Sequence, residues 1–219
     1  MCANYTPARG ERLAQQFGID PREYVFKAEA FPGTMAPIIR RAHGHPAAAE
    51  LEVVAAMFGM VPHWAELKLA RQTYNSRAET SASKPSFRNA WKQRQFCVIP
   101  AEAFYEPCYE TGSAVRWRIG RRDGAALGIA GIWESRAGAA GAPDLISFSM
   151  LTVNADGDPL MQRFHRPSDE KRSVVILPPE QFRAWVDTTA EQATAFLSLF
   201  PAAALSAEAA PRKTVPPPV

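Results

Sequence analysis

The sequence predicts an α+β fold: a single mixed domain with a barrel-like, largely antiparallel β core and flanking helices. Three observations support this prediction. The chain of 219 residues is long enough to bury a sizeable core. Short apolar segments separated by turn residues dominate from residue 52 onward, which is typical of strands. Helical patterns are few and do not alternate with these segments, which argues against a doubly wound parallel sheet.

Helical patterns occur mainly towards the two ends of the chain. Residues 10–18 (GERLAQQFG) predict a short helix that ends at a glycine. Residues 179–187 (PEQFRAWVD) and 189–199 also predict helices, the first with a proline suited to its first turn. Residues 47–57 (AAAELEVVAAM) contain few helix breakers, but their β-branched pair makes a strand equally plausible for the second half.

Strand patterns fill the middle of the chain, with Gly, Pro and Asp at the turns between them. Six segments have this character: 52–58, 95–99 (QFCVI), 115–119 (VRWRI), 126–132 (ALGIAGI), 146–153 (ISFSMLTV) and 173–177 (SVVIL). Residues 2–200 are therefore predicted to form one domain. Residues 201–219 are rich in Ala and Pro, which predicts a poorly ordered tail.

The composition narrows the class of protein. With 47% hydrophobic and 21% charged residues, the chain lies in the globular range. No apolar run approaches the roughly 18 residues of a membrane span. The N-terminus lacks the basic head and the apolar stretch of about 7 residues that a secretory leader needs, which predicts a cytoplasmic protein. The three cysteines form no CxxC pair and no histidine pair forms HExxH, so we expect no disulfide, no metal and no cofactor.

The net charge of +3 is mild, but the cations are clustered. Arginines and lysines are interleaved with aromatic residues in the ranges 71–94, 116–122 and 163–172. Such clusters suit single-stranded nucleic acid, because phosphates meet charge and bases stack on the rings. Charge alone favours the alternative that these are solvated strand faces.

Cys2 is the most unusual candidate for chemistry. Removal of Met1 would place a thiol and a free α-amine on adjacent carbons, and both have ordinary pKa values near 8. With an aldehyde, the amine would form an imine and the thiol would then close a thiazolidine ring. Alternatively, the thiol could attack an acyl group with its own amine as base, as in N-terminal nucleophile hydrolases. A third interpretation is that cysteine stands at position 2 without functional meaning.

Three other polar features are candidates. Residues 75–80 (NSRAET) combine an amide with a guanidinium fork suited to phosphate, although any polar turn could have this composition. Glu106 follows an apolar-aromatic segment that could raise its pKa, although a surface carboxylate at a strand end is an alternative. His165 is the best placed of the four histidines for acid–base work.

Seven motifs in order resemble those of the SOS-response-associated peptidase-like (SRAP) family. Each is weak alone, but they occur in order, and the resemblance runs from residue 2 to about residue 187. They are Met1-Cys2, 58–64 (FGMVPHW), 75–80 (NSRAET), 97–106 (CVIPAEAFYE), 128–134 (GIAGIWE), 148–155 (FSMLTVNA) and 164–167 (FHRP).

The resemblance implies a mixed α/β domain with a barrel-like β core and a positively charged cleft for single-stranded DNA. It also implies a covalent cross-link to abasic sites, in which the N-terminal cysteine captures the ring-opened sugar aldehyde as a thiazolidine and shields the lesion. The family was first named for an inferred autoproteolytic peptidase activity that would expose this cysteine.

Roles for individual residues follow from the same resemblance. Cys2 would be the nucleophile, Asn75 would bond the adduct, Glu106 would shuttle protons, and His165 would assist sugar-ring opening or β-elimination. The DNA-binding candidates are Pro32 in the Phe31–Gly33 loop and Trp64, which would stack against bases, and Arg77, Arg166 and Arg172, which would contact phosphate.

The sequence departs from the family pattern at three places. Asn4 replaces a basic residue, which predicts the loss of one phosphate contact. Pro107 replaces a tryptophan after the Phe-Tyr-Glu motif. Residues 165–172 (HRPSDEKR) contain an insertion, so that Arg166 and Arg172 compete for one role.

The combined prediction is a monomeric sensor of abasic sites in single-stranded DNA that forms a covalent cross-link through Cys2 during the DNA damage response. The alternative is an N-terminal-nucleophile cysteine peptidase or amidohydrolase without a DNA substrate. A non-catalytic nucleic-acid-binding module is the third hypothesis.

Overall fold

The structure is a computed structural model that describes residues 2–18, 26–42, 51–138 and 141–212. Three α-helices occur in these ranges: α1 (Glu11–Phe17), α2 (Arg88–Lys92) and α3 (Phe182–Asp187). The strands there are β1 (Tyr5–Pro7), β2 (Met35–Arg41), β3 (Leu51–Phe58), β4 (Asn75–Arg77), β5 (Phe96–Cys108), β6 (Val115–Arg121), β7 (Leu127–Arg136), β8 (Leu145–Asn154), β9 (Arg172–Val174), β10 (Ile176–Leu177) and β11 (Leu205–Ala209).

Five strands close into a barrel in the order β5-β7-β8-β3-β2 and back to β5. The pairs are antiparallel except β3 with β8, which is parallel. The remaining strands extend the sheet: β1 and β6 pair with β5, β11 with β6, β10 with β7, and β4 and β9 with β8. The predicted α+β fold with a barrel-like core and few helices is confirmed.

Alternation along the strands produces two cores. Ile99 of β5 packs in a cluster with Cys2 and Phe58, whereas its neighbour Val98 packs with Trp185 of α3. This follows from the period of two in a β-strand, which sends successive side chains to opposite faces. The N-terminal segment is therefore packed against one face of the sheet, and α3 covers the other.

Several predicted elements need correction. The segment 95–99 is only the start of β5, which runs to Cys108, and 173–177 is divided into β9 and β10. The predicted helix over 189–199 is wrong: it contains a 3₁₀ turn at Ala193–Phe196, which packs the Phe196 ring on Trp185. The first half of the ambiguous segment 47–57 lies outside the described residues, and its second half is β3.

The tail beyond residue 200 is ordered up to residue 212, contrary to the prediction. Leu205–Ala209 form β11, which pairs antiparallel with β6 from Leu205 opposite Arg121 to Ala209 opposite Trp117. An unpaired strand edge presents free N–H and C=O groups, and β11 satisfies those of β6. Composition could not predict this, because the partner lies about 90 residues away in the sequence. Residues 213–219 lie outside the described residues.

No helix within the described ranges has both the length and the apolar character needed to cross a membrane.

Candidate active site

The thiol of Cys2 is buried just before β1, with 1% of the residue exposed. Its Sγ donates to the backbone oxygen of Asn4 at 3.4 Å. Burial first, and then the charge of Glu106, raise the pKa of this thiol to about 12, against a smaller lowering by the Asn4 hydrogen bond. The thiol is therefore neutral at physiological pH.

Asn75 holds the segment that carries this thiol. It lies at the start of β4, opposite Met150 of β8, and is 8% exposed. Its Nδ2 donates to the backbone oxygen of Cys2 at 3.1 Å and to that of Tyr74 at 2.9 Å. Its Oδ1 is buried and has no hydrogen-bond partner among the residues that the structure describes. An acceptor beside Cys2 is therefore unused.

Glu106 and His165 form a buried carboxylate–imidazole pair. Oε2 of Glu106 lies 3.0 Å from Nε2 of His165, and their side chains are 2% and 7% exposed. Glu106 lies near the end of β5. The backbone of His165 is fixed by its N–H, which donates to Pro107 O at 2.8 Å, and by a left-handed φ of 63°, which is uncommon outside glycine.

The four predicted catalytic residues therefore meet, although they come from four separate segments. Asn75 bonds Cys2, Glu106 acts electrostatically on Cys2, and His165 touches Glu106. Burial first, and then the charges of Glu106 and Cys2, raise the pKa of the Tyr74 hydroxyl. The arrangement offers a thiol, an open amide acceptor and a proton-transfer pair in one buried place.

Arg116 of β6 is a functional candidate that the sequence analysis did not single out. Its Nη2 and Nε donate to Asn4 Oδ1 at 2.7 and 3.1 Å, and Nη2 also pairs with Glu29 at 2.7 Å. Its guanidinium stacks on the Tyr105 ring at 3.4 Å. The cation expected to be missing at position 4 is thus supplied from a neighbouring strand. The only sequence signal was its place in the basic cluster 116–122.

A cleft of about 450 Å³ opens beside Glu106. Arg116 lies on one side of it and Arg212, whose guanidinium is 5.0 Å from the Phe31 ring, also lines it. Its other lining residues are Ala3, Asn4, Tyr105, Pro107 and Ala114. The cleft therefore joins the N-terminal segment to two cations.

Pro32 and Trp64 lie on two loops at one end of β3. The turn that contains Pro32 is tied to the strand by Gly33 N–H, which donates to Phe58 O at 2.7 Å. The loop that contains Trp64 begins directly after Phe58, and Val61 N–H anchors it to Ser147 Oγ at 2.9 Å. Trp64 itself is 57% exposed. An exposed indole on an anchored loop is able to stack on a planar ligand.

The three predicted phosphate contacts differ in accessibility. Arg77 is half exposed, and its Nη1 pairs with Glu170 at 2.8 Å. Arg166 is exposed, and a hydrogen bond to Tyr109 raises its pKa further. Arg172 is only 3% exposed and bonds two carboxylates, so a phosphate reaches it only by displacing one of them. The competition between Arg166 and Arg172 therefore favours Arg166.

His63 is the other described histidine. Its side chain is exposed, and its Nδ1 lies 3.8 Å from Glu134. His43 and His45 lie outside the described residues. Across the ranges that the structure describes, no three His, Cys, Asp or Glu side chains are grouped to hold a metal ion.

Curated relatives match part of the chain. The abasic site processing proteins YoqW and YoaM of Bacillus subtilis (strain 168) are 30% and 27% identical to it over 132 residues. Each match covers 59% of this chain and only 55% and 54% of the relatives, so that it spans little more than half of their length.

Solved structures match nearly the whole fold. A crystal structure of a Bordetella bronchiseptica protein superposes with a TM-score of 0.86 at 39% identity, over 95% of this chain and 99% of that one. A Bacteroides thetaiotaomicron protein has a TM-score of 0.78 at 19% identity, over 95% and 91%, which shows the shared fold. The sequence pattern of the family described as SOS response associated peptidase (SRAP) matches residues 1–214. This chain therefore belongs to the SRAP family.

Proposed function

We propose that this protein binds single-stranded DNA at abasic sites and, after removal of Met1, forms a covalent thiazolidine cross-link through Cys2. The observation that carries the proposal is that Asn75 holds Cys2 beside the buried pair of Glu106 and His165. The names of the curated relatives, which are abasic site processing proteins, support the same substrate.

The chemistry requires two bond-forming steps. The α-amine of Cys2 attacks the aldehyde carbon of the ring-opened sugar, and the resulting carbinolamine loses water to give an imine. The thiol then adds across the C=N bond, so that sulfur bonds to carbon and the thiol proton ends on nitrogen. Glu106 supplies the proton for the departing water and relays the thiol proton. His165, beside it, assists the opening of the sugar ring.

The state of the thiol sets the order of these steps. An unperturbed α-amine has a pKa of about 7.7–8.0, so part of it is a deprotonated nucleophile near neutral pH. The Cys2 thiol, with a pKa raised to about 12, is almost entirely protonated. The amine therefore attacks first. The unpaired Oδ1 of Asn75 is the acceptor that orients it.

The DNA strand runs over the exposed side chains around this site. Arg77 and Arg166 contact phosphates, and Trp64 and the Pro32 turn stack against bases beside the lesion. Each stacked base contributes about 1–3 kcal/mol.

Intact-mass measurement tests the proposal. The wild-type protein is mixed with an abasic oligonucleotide, with the same oligonucleotide without the lesion as control. We expect an adduct at the summed mass of the Met1-free protein and the DNA minus one water. Cys2→Ala leaves at most a reversible imine, and one residue retained before Cys2 abolishes the ring.

Two outcomes would contradict the proposal. One is an equally stable adduct in Cys2→Ala. The other is a folded, Met1-free wild type that forms no adduct. Turnover of an amide substrate without DNA, dependent on Cys2, would instead support the N-terminal-nucleophile hydrolase.

A further inference from the structure

We propose that Glu170 occupies the position of a DNA phosphate between Arg77 and Arg172, so that an incoming strand must displace it. This inference rests on the proposed function, because it concerns the phosphate contact assigned there to Arg77. Glu170 thereby acts as an internal competitor that weakens non-covalent binding.

The carboxylate of Glu170 bridges two arginines. Its Oε2 lies 2.8 Å from Arg77 Nη1, and its Oε1 lies 2.8 Å from Arg172 Nη1. A backbone phosphate likewise presents two anionic oxygens on one central atom, and guanidinium groups bind both kinds of anion through charge-assisted hydrogen bonds. The geometry that holds Glu170 is therefore suited to a phosphate.

The two arginines differ in how firmly they are held. Arg172 is buried and remains bonded to both oxygens of Glu79, at 3.0 and 2.9 Å, and to Thr152 O at 2.7 Å, whether or not Glu170 is present. Arg77 is half exposed, and Glu170 is its one ion-pair partner among the described residues. Arg172 thus forms the fixed wall of the site, and Arg77 is the side open to the strand.

Glu170 is able to leave this position. Its side chain is one-third exposed, and it lies in the irregular segment between His165 and β9. Its other hydrogen bond is a 3.2 Å contact from Asn154 Nδ2, which also bonds Asp156 at 2.9 Å. Asn154 therefore keeps a partner when Glu170 moves away.

The charges explain the effect on binding. Arg77, Arg172, Glu79 and Glu170 sum to zero, so the group attracts a polyanion weakly. A phosphate that replaces Glu170 forms a contact with Arg77 but breaks the contact between Arg77 and Glu170. Only the difference in free energy between these two contacts favours binding.

The test measures affinity without the covalent step. The probe is single-stranded DNA with a tetrahydrofuran abasic analogue, which has no aldehyde and forms no adduct. Fluorescence anisotropy against salt is compared for the wild type, Glu170→Gln, Arg77→Ala and the double variant. Glu208→Gln is the matched control, because it removes the same charge from an exposed glutamate 3.7 Å from Arg118.

We expect Glu170→Gln to bind the probe about two- to fivefold more tightly, the scale of an exposed ion pair. Its salt dependence should steepen by about 0.7 in slope, which corresponds to one additional phosphate contact. Both gains should vanish in the Arg77→Ala background, and Glu208→Gln should bind as the wild type does.

Three outcomes would overturn the inference. In the first, Glu170→Gln binds the probe no more tightly than the wild type; a result in which neither protein binds measurably counts as this outcome. The gain could persist without Arg77, or Glu208→Gln could show the same gain. Adduct formation by the wild type on aldehyde-containing DNA is measured in parallel. Its absence refutes the proposed function, whereas adduct formation without a gain in Glu170→Gln refutes only the role of Glu170.

Discussion

Replacement of Glu106 by glutamine tests the proposed proton transfer directly. The substitution preserves size in a site where the side chain is 2% exposed, and the amide occupies the space of the carboxylate, 3.0 Å from His165 Nε2. The fold should therefore be retained, because a replacement of equal volume leaves the packing of the site unchanged. What the variant loses is a negative charge and a group able to exchange a proton.

Two effects of this loss oppose each other. The charge of Glu106 helps to raise the pKa of the Cys2 thiol, so its removal lowers that pKa and favours the thiolate. With a thiol pKa of about 12, however, only about one thiol in 30,000 is ionised near pH 7.5, and even a tenfold increase leaves it almost wholly neutral. Loss of general acid–base catalysis costs about 10²–10⁴ in rate. We therefore expect cross-linking to slow by about 100-fold or more.

The assay is the rate of adduct formation at pH 6–9, followed by intact mass. Glu102→Gln is the matched control, because this residue lies on the same strand but pairs with Arg12 at 3.3 Å. Affinity for DNA with a tetrahydrofuran analogue should be unchanged in both variants. If Glu106→Gln cross-links within about threefold of the wild-type rate, Glu106 is not the proton shuttle. An equal loss of affinity would make it a binding residue.

Three further predictions concern the stability of the fold and the exposed indole of Trp64. In Gly59→Ala, the new Cβ would collide with the backbone carbonyl of Ala70, whereas the Cβ of Gly124→Ala would meet open space, although the φ of both glycines is positive. Urea unfolding should show a loss of stability that is about 1–3 kcal/mol larger at Gly59. Trp64→Ala should weaken DNA binding by about 1–3 kcal/mol without lowering the melting temperature, in contrast to the equally exposed Leu67→Ala, which should leave binding unchanged. Removal of residues 205–219 should lower the free energy of unfolding by about 2 kcal/mol or more, because it exposes the edge of β6 and deletes a buried leucine.

The sequence predicted elements whose own side chains alternate, and missed those that depend on distant partners. β3, β6, β7 and β8 lie close to the predicted segments. By contrast, β2 contains a proline and ends in two arginines, and only its pairing with β3 and β5 makes it a strand. β11 (LSAEA) has only one large apolar residue, Leu205, followed by two alternating alanines, and it forms on the edge of β6. Long-range pairing leaves no local pattern from which it can be predicted.

The candidate site shows the same division. Cys2, Asn75, Glu106 and His165 were identified by residue type and by resemblance, and the structure brings them together. Arg116 was not identified, because its importance depends on a long-range contact. It extends from β6 to the side chain of Asn4, more than 100 residues earlier. No pattern within either segment indicates that contact.

Several arginines of this protein are already paired with carboxylates. Glu170 pairs with Arg77, Glu29 with Arg116 and Glu110 with Arg163, and Arg172 is bonded to two carboxylates. A phosphate that meets such a pair exchanges one anion for another and releases few counterions. The salt dependence of binding should therefore be shallower than the number of arginines in the three basic clusters suggests. Under the proposed function, tight association would then come from the bond at Cys2, which would confine it to DNA that offers an aldehyde.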